Sequence, residues 1–444
     1  MLSSRDAPGQ VTRRQVPTTL NQADRLALAY GPDRWRKRPV TFGMQIRGRL
    51  EVPLIELALT LTARRHSALR TYFPYGPAAD RALCLDPRDV SWPLALVDLS
   101  RMPPADKAAA EHAAFVALIE CFGPANPPLF RGIIVKHAED EWLLGIAADH
   151  LIFDGSSIPL FLRDLENVYN HLFSGREATD LSVEVSDFSL FCTAERKWLA
   201  SPAAERAACY WKPIWDGMGP SPLSVLPTIK PGAAAPSGHV WSTALPAPAI
   251  AQTRRLLPHG HLSLFALAAG CVISVLSDIT GRADCGILHT SSRRSWPGAA
   301  EMIGCLMNRV LLRVNTAGAE SLPDVAGLTR NAILDSMEHM MAPFEFLMQR
   351  FSPDQSGRMP QNPHVLVDVD SEPDPPQLGG LEVTMAWPVA GDAFRDDPRV
   401  IVSLQPSGSD LVTLSCGYQA SLFHAEFIDN FMGRVAGLLT SGSG

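Results

Sequence analysis

The chain has 444 residues, of which 46% are hydrophobic and 19% charged, and its formal net charge at pH 7 is -7. This length predicts two domains, and the apolar content excludes an intrinsically disordered chain. The acidic balance disfavours a nucleic-acid-binding protein. The eight cysteines form no C-x-x-C pair, and no signal peptide or membrane-spanning run is apparent. We therefore expect a soluble protein of the cytoplasm.

Predicted strands and helices alternate along the chain after an N-terminal tail at residues 1–16. In chain order we expect a strand over 41–48, a helix from Pro53, a helix over 105–121, a hairpin of Leu129–Val135 and Trp142–Ala148, a helix from Ile158 to Leu172, one helix over 186–216, a loop over Pro222–Gly238, a helix over Ser263–Ser277, strands at Val310–Val314 and Val365–Val369, a hairpin of Val400–Leu404 and Leu411–Gly417, and a last helix from about His424. This mixture predicts an α/β or α+β fold.

The stretch Asp149–Gly155, with the sequence Asp-His-Leu-Ile-Phe-Asp-Gly, carries the strongest chemical signal. It follows a strand that is apolar on both faces, which predicts a central, buried strand. An imidazole titrates near neutral pH, so His150 is suited to proton transfer at the end of this strand. Because neighbouring strand residues face opposite ways, Asp149 and His150 cannot share a cavity if the strand continues.

Several interpretations of this stretch remain open from the residues alone. Asp154 could orient His150 as in a catalytic triad, or it could pair with an arginine and brace the loop. Residues 154–157 could instead only cap the following helix, and His150 could be a structural histidine. A metal pair of His150 and Asp154 lacks a third ligand nearby. No nucleophile elbow, P-loop or dinucleotide fingerprint occurs in the sequence.

Asp149–Gly155 resembles the HHxxxDG motif of the condensation domains of nonribosomal peptide synthetases, which belong with the chloramphenicol acetyltransferase-like acyltransferases. Other segments resemble this family in the same order along nearly the whole chain. They are Pro17–Gln22, Arg65–Phe73, Tyr210-Trp211 with Leu226-Pro227, Ser263–Phe265, Ile303–Asn308 with Leu312–Val314, Pro343–Glu345 with Asn362-Pro363, and Tyr418 with Leu422-Phe423.

The resemblance implies two acetyltransferase-like lobes in a V with a central tunnel, which we place at residues 1–180 and 181–444. It implies that His150 activates or positions the acceptor nucleophile. It also implies that Asp154 has a structural role, in which it forms a salt bridge with an arginine. Spacing favours Arg294 as this arginine, with Arg293 as the alternative. Gly155 would let backbone approach the thioester. Asp149 departs from the family, because it stands where the motif has its first histidine.

The resemblance further implies a free-standing condensation enzyme. Such an enzyme transfers an acyl or aminoacyl group from a carrier protein to a soluble amine or alcohol, forming an amide or an ester in natural-product biosynthesis. The phosphopantetheine arm belongs to the carrier protein, and we expect no metal, cofactor, nucleic-acid or membrane partner. Two alternatives stay open: a non-catalytic module that docks carrier proteins, and an acyltransferase that uses acyl-CoA.

Overall fold

The structure is a computed structural model. It describes residues 13–30, 39–76, 80–119, 123–181, 184–217, 238–256, 262–352, 365–370, 372–386, 400–408 and 410–441. Most of the predicted loop over Pro222–Gly238 lies outside these residues, as do the segments Leu226-Pro227 and Asn362-Pro363. None of the described helices has the length and apolar character needed to cross a membrane.

The described part of the chain contains eleven α-helices and fourteen strands, in the mixed α/β arrangement that the sequence predicts. The helices are α1 (Leu20–Tyr30), α2 (Val52–Arg65), α3 (Pro104–Ile119), α4 (Ser157–Phe173), α5 (Phe188–Leu199), α6 (Pro202–Asp216), α7 (Ala247–Leu256), α8 (Leu264–Thr280), α9 (Leu322–Ser336), α10 (Phe344–Phe351) and α11 (Ala425–Ser441). The strands are β1 (Arg13–Pro17), β2 (Val40–Arg47), β3 (Thr71–Tyr72), β4 (Arg81–Leu85), β5 (Leu94–Asp98), β6 (Phe130–Lys136), β7 (Glu141–Ala148), β8 (Gly238–Pro246), β9 (Asp284–Ser292), β10 (Met307–Asn315), β11 (Val365–Val369), β12 (Glu382–Ala386), β13 (Val400–Ser407) and β14 (Leu411–Gln419).

The chain divides into two compact units, and each unit combines stretches that are distant in sequence. Unit 1 comprises Met1–Ala200, Arg293–Leu306 and Pro373–Ala390. Unit 2 comprises Ser201–Ser292, Met307–Glu372 and Gly391–Gly444. The connection between β9 and β10 therefore belongs to unit 1, although both strands belong to unit 2.

Unit 1 is built on a five-stranded sheet in the order β12-β2-β7-β6-β5, with β7 in the middle. Seven of the eight β7 residues are buried, as the run of apolar residues in this strand predicts. Helix α4 places Phe161 against this sheet. The ring centroids of Phe161 and Phe42 of β2 are 5.8 Å apart, and the two rings make an edge-on contact. The ring of Phe153 stacks on Phe42 at 6.0 Å, so the chain segment after β7 is anchored in the same core.

Unit 2 is built on a six-stranded sheet in the order β10-β9-β11-β13-β14-β8. The predicted core helix is confirmed as α8, whose residues from Ala266 to Ile273 are all buried. Ser263 caps its N-terminus by accepting a hydrogen bond from the amide of Ala266 at 3.0 Å. Gly281 ends the helix with a φ of 66°, a left-handed conformation that glycine adopts without strain.

Two predictions about elements are wrong. The predicted single helix over 186–216 is two helices, α5 and α6, because Ser201 accepts a hydrogen bond from the amide of Ala203 and Pro202 opens a new helix. The predicted N-terminal tail includes a strand, since β1 pairs antiparallel with β4. Its hydrogen bonds join residues far apart in sequence, which local periodicity does not reveal.

Candidate functional site in unit 1

His150 lies in a tight turn directly after β7, and its side chain is half-buried. The turn begins where the amide of Asp149 donates to the carbonyl of Leu129 at 2.7 Å. It closes where the amide of Ile152 donates to the carbonyl of Asp149 at 3.0 Å. Since the strand ends at Ala148, the alternation of strand side chains does not apply to Asp149 and His150.

Asp149 holds this turn with its own side chain. The residue is only 2% exposed. One carboxylate oxygen accepts a hydrogen bond from the amide of Leu151 at 2.9 Å, two residues further on. Aspartate and asparagine form this local turn readily because their side chains are short. The residue that departs from the family motif thus supports the backbone on both sides of His150.

Asp154 is buried at 2% exposure, and its carboxylate is surrounded by donors. Arg294 donates to both oxygens in a two-pronged contact, at 3.0 and 2.8 Å. The hydroxyl of Ser157 donates at 2.7 Å, and the amide of Leu306 donates at 2.9 Å. Among the described residues, Asp154 makes no hydrogen bond to His150. This arrangement supports the brace and not the triad interpretation.

Arg293, the alternative partner for Asp154, has a different role. It forms a buried ion pair with Glu195 of α5, and its guanidinium lies over the ring of Phe191 at 4.9 Å. Glu195 also accepts a hydrogen bond from the amide of Leu20 at 2.7 Å, which ties the start of α1 to α5. In α1, Gln22 then donates to the carbonyl of Leu151 at 2.8 Å. A chain of polar contacts therefore connects Arg293 to the turn that carries His150.

Gly304 and Gly155 lie near the site, and packing requires a glycine at only one of the two positions. A Cβ at Gly304 would lie 2.4 Å from the ring of Phe188, so packing requires glycine there. Its backbone can then bond Ser157, because the amide of Gly304 donates to the Ser157 hydroxyl at 3.2 Å. A Cβ at Gly155 would meet no described atom within 4 Å. The packing around Gly155 does not require a glycine.

Sequence reasoning did not single out two residues of the site, Ser157 and Cys305. Ser157 bonds Asp154, Arg294 and Gly304, and its place as the first residue of α4 was the available signal. The thiol of Cys305 lies 3.8 Å from Nδ1 of His150 and is completely buried. A sequence separation of 155 residues concealed this contact. In the described part of the chain, no group of three His, Cys, Asp or Glu side chains could hold a metal ion.

A Ser–His–Asp arrangement elsewhere in unit 1 is structural. Nδ1 of His66 lies 3.0 Å from the hydroxyl of Ser186, and Nε2 lies 3.1 Å from a carboxylate oxygen of Asp164. His66 is only 2% exposed, so a substrate cannot reach it. Burial alone would raise the pKa of Asp164. The hydrogen bond from His66, together with the charges of His66 and Arg65, has the larger effect and holds the pKa of Asp164 below its usual value.

A comparison with protein families assigns this chain to a family. The family model of the condensation domain matches residues 38–441, which is most of the chain. The chain belongs to the condensation domain family. An isonitrile lipopeptide synthase of Mycobacterium tuberculosis is 28% identical over 418 residues, covering 90% of this chain and 16% of that protein. The curated relatives are much longer than the match, because this chain spans between 4% and 16% of their lengths.

Two solved domains have the same fold as this chain. The X-domain in a complex with OxyB from teicoplanin biosynthesis superimposes with a TM-score of 0.78 at 20% identity, covering 99% of this chain and 95% of that one. The first condensation domain of the calcium-dependent antibiotic synthetase, bound to a substrate analogue, gives 0.77 at 19% identity, with 97% of each chain covered. At these identities the likeness shows the fold, and the chemistry of this chain must be argued from its own residues.

Proposed function

We propose that this condensation-family chain transfers an acyl or aminoacyl group from a carrier-protein thioester to a soluble amine or alcohol, forming an amide or an ester. The observation that carries the proposal is the placement of His150. Its turn is fixed from both sides by Asp149 and Gln22, and the motif's acid is fully engaged by Arg294. The side chain of His150 is partly exposed, and an imidazole is the kind of group that can take and return a proton near neutral pH.

The proposed reaction needs a group that accepts a proton and a site that holds the acceptor molecule beside that group. The nitrogen or oxygen of the acceptor attacks the thioester carbonyl carbon, and its proton passes to the imidazole of His150. The carbon–sulfur bond then breaks, and the departing thiol of the phosphopantetheine arm receives that proton. Since a thioester is already activated, holding the acceptor beside His150 supplies much of the rate enhancement. The arm is part of the donor substrate and belongs to the carrier protein.

Gly155 supports this proposal from the substrate side. It is exposed, and the fold leaves open space where a side chain would be. A glycine that packing does not require is expected where a ligand approaches the backbone closely. We propose that the thioester end of the donor passes over Gly155 on its way to His150.

A second candidate function is docking without transfer. It is favoured by the likeness to the teicoplanin X-domain, which was solved in complex with OxyB. In this candidate, Asp149 in place of the first motif histidine marks a site that no longer catalyses. The bonds of Asp149 argue for the catalytic candidate instead, because they keep the turn of His150 in order.

The test is an acyl-transfer assay with purified protein. An acyl-loaded carrier protein and the matching acyl-CoA are offered separately, each with a panel of amines and alcohols, and amide or ester products are identified by mass spectrometry. The proposal expects product from the loaded carrier. Binding of the loaded carrier without product from any acceptor would support docking, and product from acyl-CoA alone would select the CoA-dependent alternative.

A further inference from the structure

A buried thiol joins His150 to helix α1. Cys305 is 0% exposed, and its sulfur lies 3.8 Å from Nδ1 of His150. The same thiol lies 3.3 Å from Oδ1 of Asn21, which is itself buried at 2% exposure. All three residues belong to unit 1. The thiol is therefore placed between a side-chain amide and the ring nitrogen of the histidine that we propose for proton transfer.

The direction of the hydrogen bonds follows from the groups involved. Arg25 lies one helical turn after Asn21, and its Nε donates to Oδ1 of Asn21 at 2.8 Å. A guanidinium can only donate, so the atom of Asn21 that faces Arg25 is its oxygen. That oxygen can only accept, so Cys305 donates its S–H to it. The lone pairs of the sulfur are then left to face Nδ1 of His150.

We propose that Cys305 is a positioning residue that keeps the proton of neutral His150 on Nδ1. An Nδ1–H group donates to the sulfur lone pair, whereas an unprotonated Nδ1 would face another acceptor. Nε2 is then the unprotonated nitrogen, available to take a proton from the acceptor. This inference rests on the proposed function for its catalytic meaning, although the position of the proton can be measured without any substrate.

The same contacts argue against Cys305 as a covalent nucleophile. A nucleophilic cysteine must be a thiolate, which requires donors or positive charge around the sulfur. The carbonyl oxygen of Asn21 is instead an acceptor that favours the protonated thiol. Complete burial also keeps a thioester away from the sulfur. The thiol acts through His150 and does not form an acyl-enzyme.

Nitrogen NMR of ¹⁵N-histidine-labelled protein tests the inference directly. The His150 signals, assigned by their loss in His150→Gln, are expected to show a protonated Nδ1 and an unprotonated Nε2 in the neutral ring. Cys305→Ala is expected to mix the two tautomers and to lower kcat about tenfold with little change in KM. Cys305→Ser keeps a donor and an acceptor, so it should restore both properties.

Cys271→Ala is the matched control, because Cys271 is an equally buried free thiol in the middle of α8 in unit 2. It should leave the His150 tautomer and the rate unchanged. An unchanged tautomer in Cys305→Ala would overturn the inference, as would an acyl adduct on Cys305 after mixing with donor alone. If the wild type transfers nothing but Cys305→Ala still changes the tautomer, the proposed function fails and the positioning role stands.

Discussion

The turn that carries His150 is held by two side chains that bond the backbone of the next residue, Leu151. Asp149 accepts from the amide of Leu151, and Gln22 donates to the carbonyl of the same residue. The hydrogen bonds that hold this turn therefore come from Asp149 and Gln22. We therefore expect substitutions around His150 to affect stability, and substitution of His150 to affect chemistry.

Asp149→Asn and Asp149→Ala should separate turn support from chemistry. Asparagine keeps the oxygen that accepts from the amide of Leu151, so the variant should fold and transfer acyl groups at close to the wild-type rate. Alanine removes that acceptor and should lower the free energy of unfolding by about 1–3 kcal/mol. Urea unfolding and initial rates measure the two effects. Equal loss of activity in both variants, with stability intact, would show that the charge of Asp149 tunes His150.

Arg294→Ala should be strongly destabilising, because it leaves the buried carboxylate of Asp154 without its positively charged partner. The expected loss in the free energy of unfolding is about 3–5 kcal/mol. The matched control is Arg163→Ala, since Arg163 pairs with Glu301 and so joins the same two segments of unit 1 at an exposed position. That variant should lose less than about 1 kcal/mol. Similar losses from the two arginines would contradict the bracing role.

At the scale of elements, helix α4 and the connection between β9 and β10 fit together around Ser157. Its hydroxyl bonds Asp154, Arg294 and the backbone of Gly304. Gly304 can reach Ser157 only because it lacks a side chain that would meet Phe188. The position of the connection thus depends on close backbone packing as well as on charge.

The two glycines of the site should respond oppositely to alanine. Gly304→Ala forces Phe188 to move and should lower the free energy of unfolding by about 1–3 kcal/mol. Gly155→Ala meets open space and should change that free energy by no more than about 0.5 kcal/mol, yet it should slow acyl transfer if the donor passes over this backbone. Thermal unfolding and initial rates check both. A Gly155→Ala variant with full activity would remove Gly155 from the proposed donor path.

Acid should weaken the junction between α2 and α4 through Asp164. The pKa of Asp164 is lowered in the folded chain, so its ionisation contributes stability that is present above its unfolded pKa of about 3.9 and is lost as pH falls through the lower folded value. The wild type should therefore be more stable than Asp164→Asn at pH 7, and the difference should shrink below about pH 4. Urea unfolding across this range measures it. A difference that stays constant down to pH 3 would assign the effect of Asp164 to packing and not to its charge.

For the whole molecule, the site collects three stretches of unit 1 that are far apart in sequence. They are the start of α1, the turn and helix start at 149–157, and the connection at 293–306. Asp154 and Arg294 are 140 residues apart, and both belong to the same compact unit. Unit 1 must therefore fold with a stretch that follows 92 residues of unit 2 in the chain, Ser201–Ser292.

How much of this the sequence could predict depended on the range of each interaction. Local apolar patterns predicted three buried elements: continuous apolar runs indicated β7 and α8, and helical spacing of apolar residues indicated α4. The motif resemblance pointed to His150 and Asp154, and spacing within the resembling segments favoured Arg294 over Arg293 as the partner of Asp154. The break at Ser201-Pro202 was readable but was missed. The contact of Cys305 with His150 was not readable, because no local pattern records a packing contact across two distant loops.

The most direct measurement of the central claim is the rate of acyl transfer by His150→Gln under single-turnover conditions with a loaded carrier and an accepted nucleophile. Glutamine keeps the size and polarity of the side chain but cannot take the proton, so the rate should fall by roughly 100-fold or more while unfolding stays close to that of the wild type. His171→Gln, in the last turn of α4, should leave the rate unchanged. A folded His150→Gln variant that forms product at the wild-type rate would contradict the account.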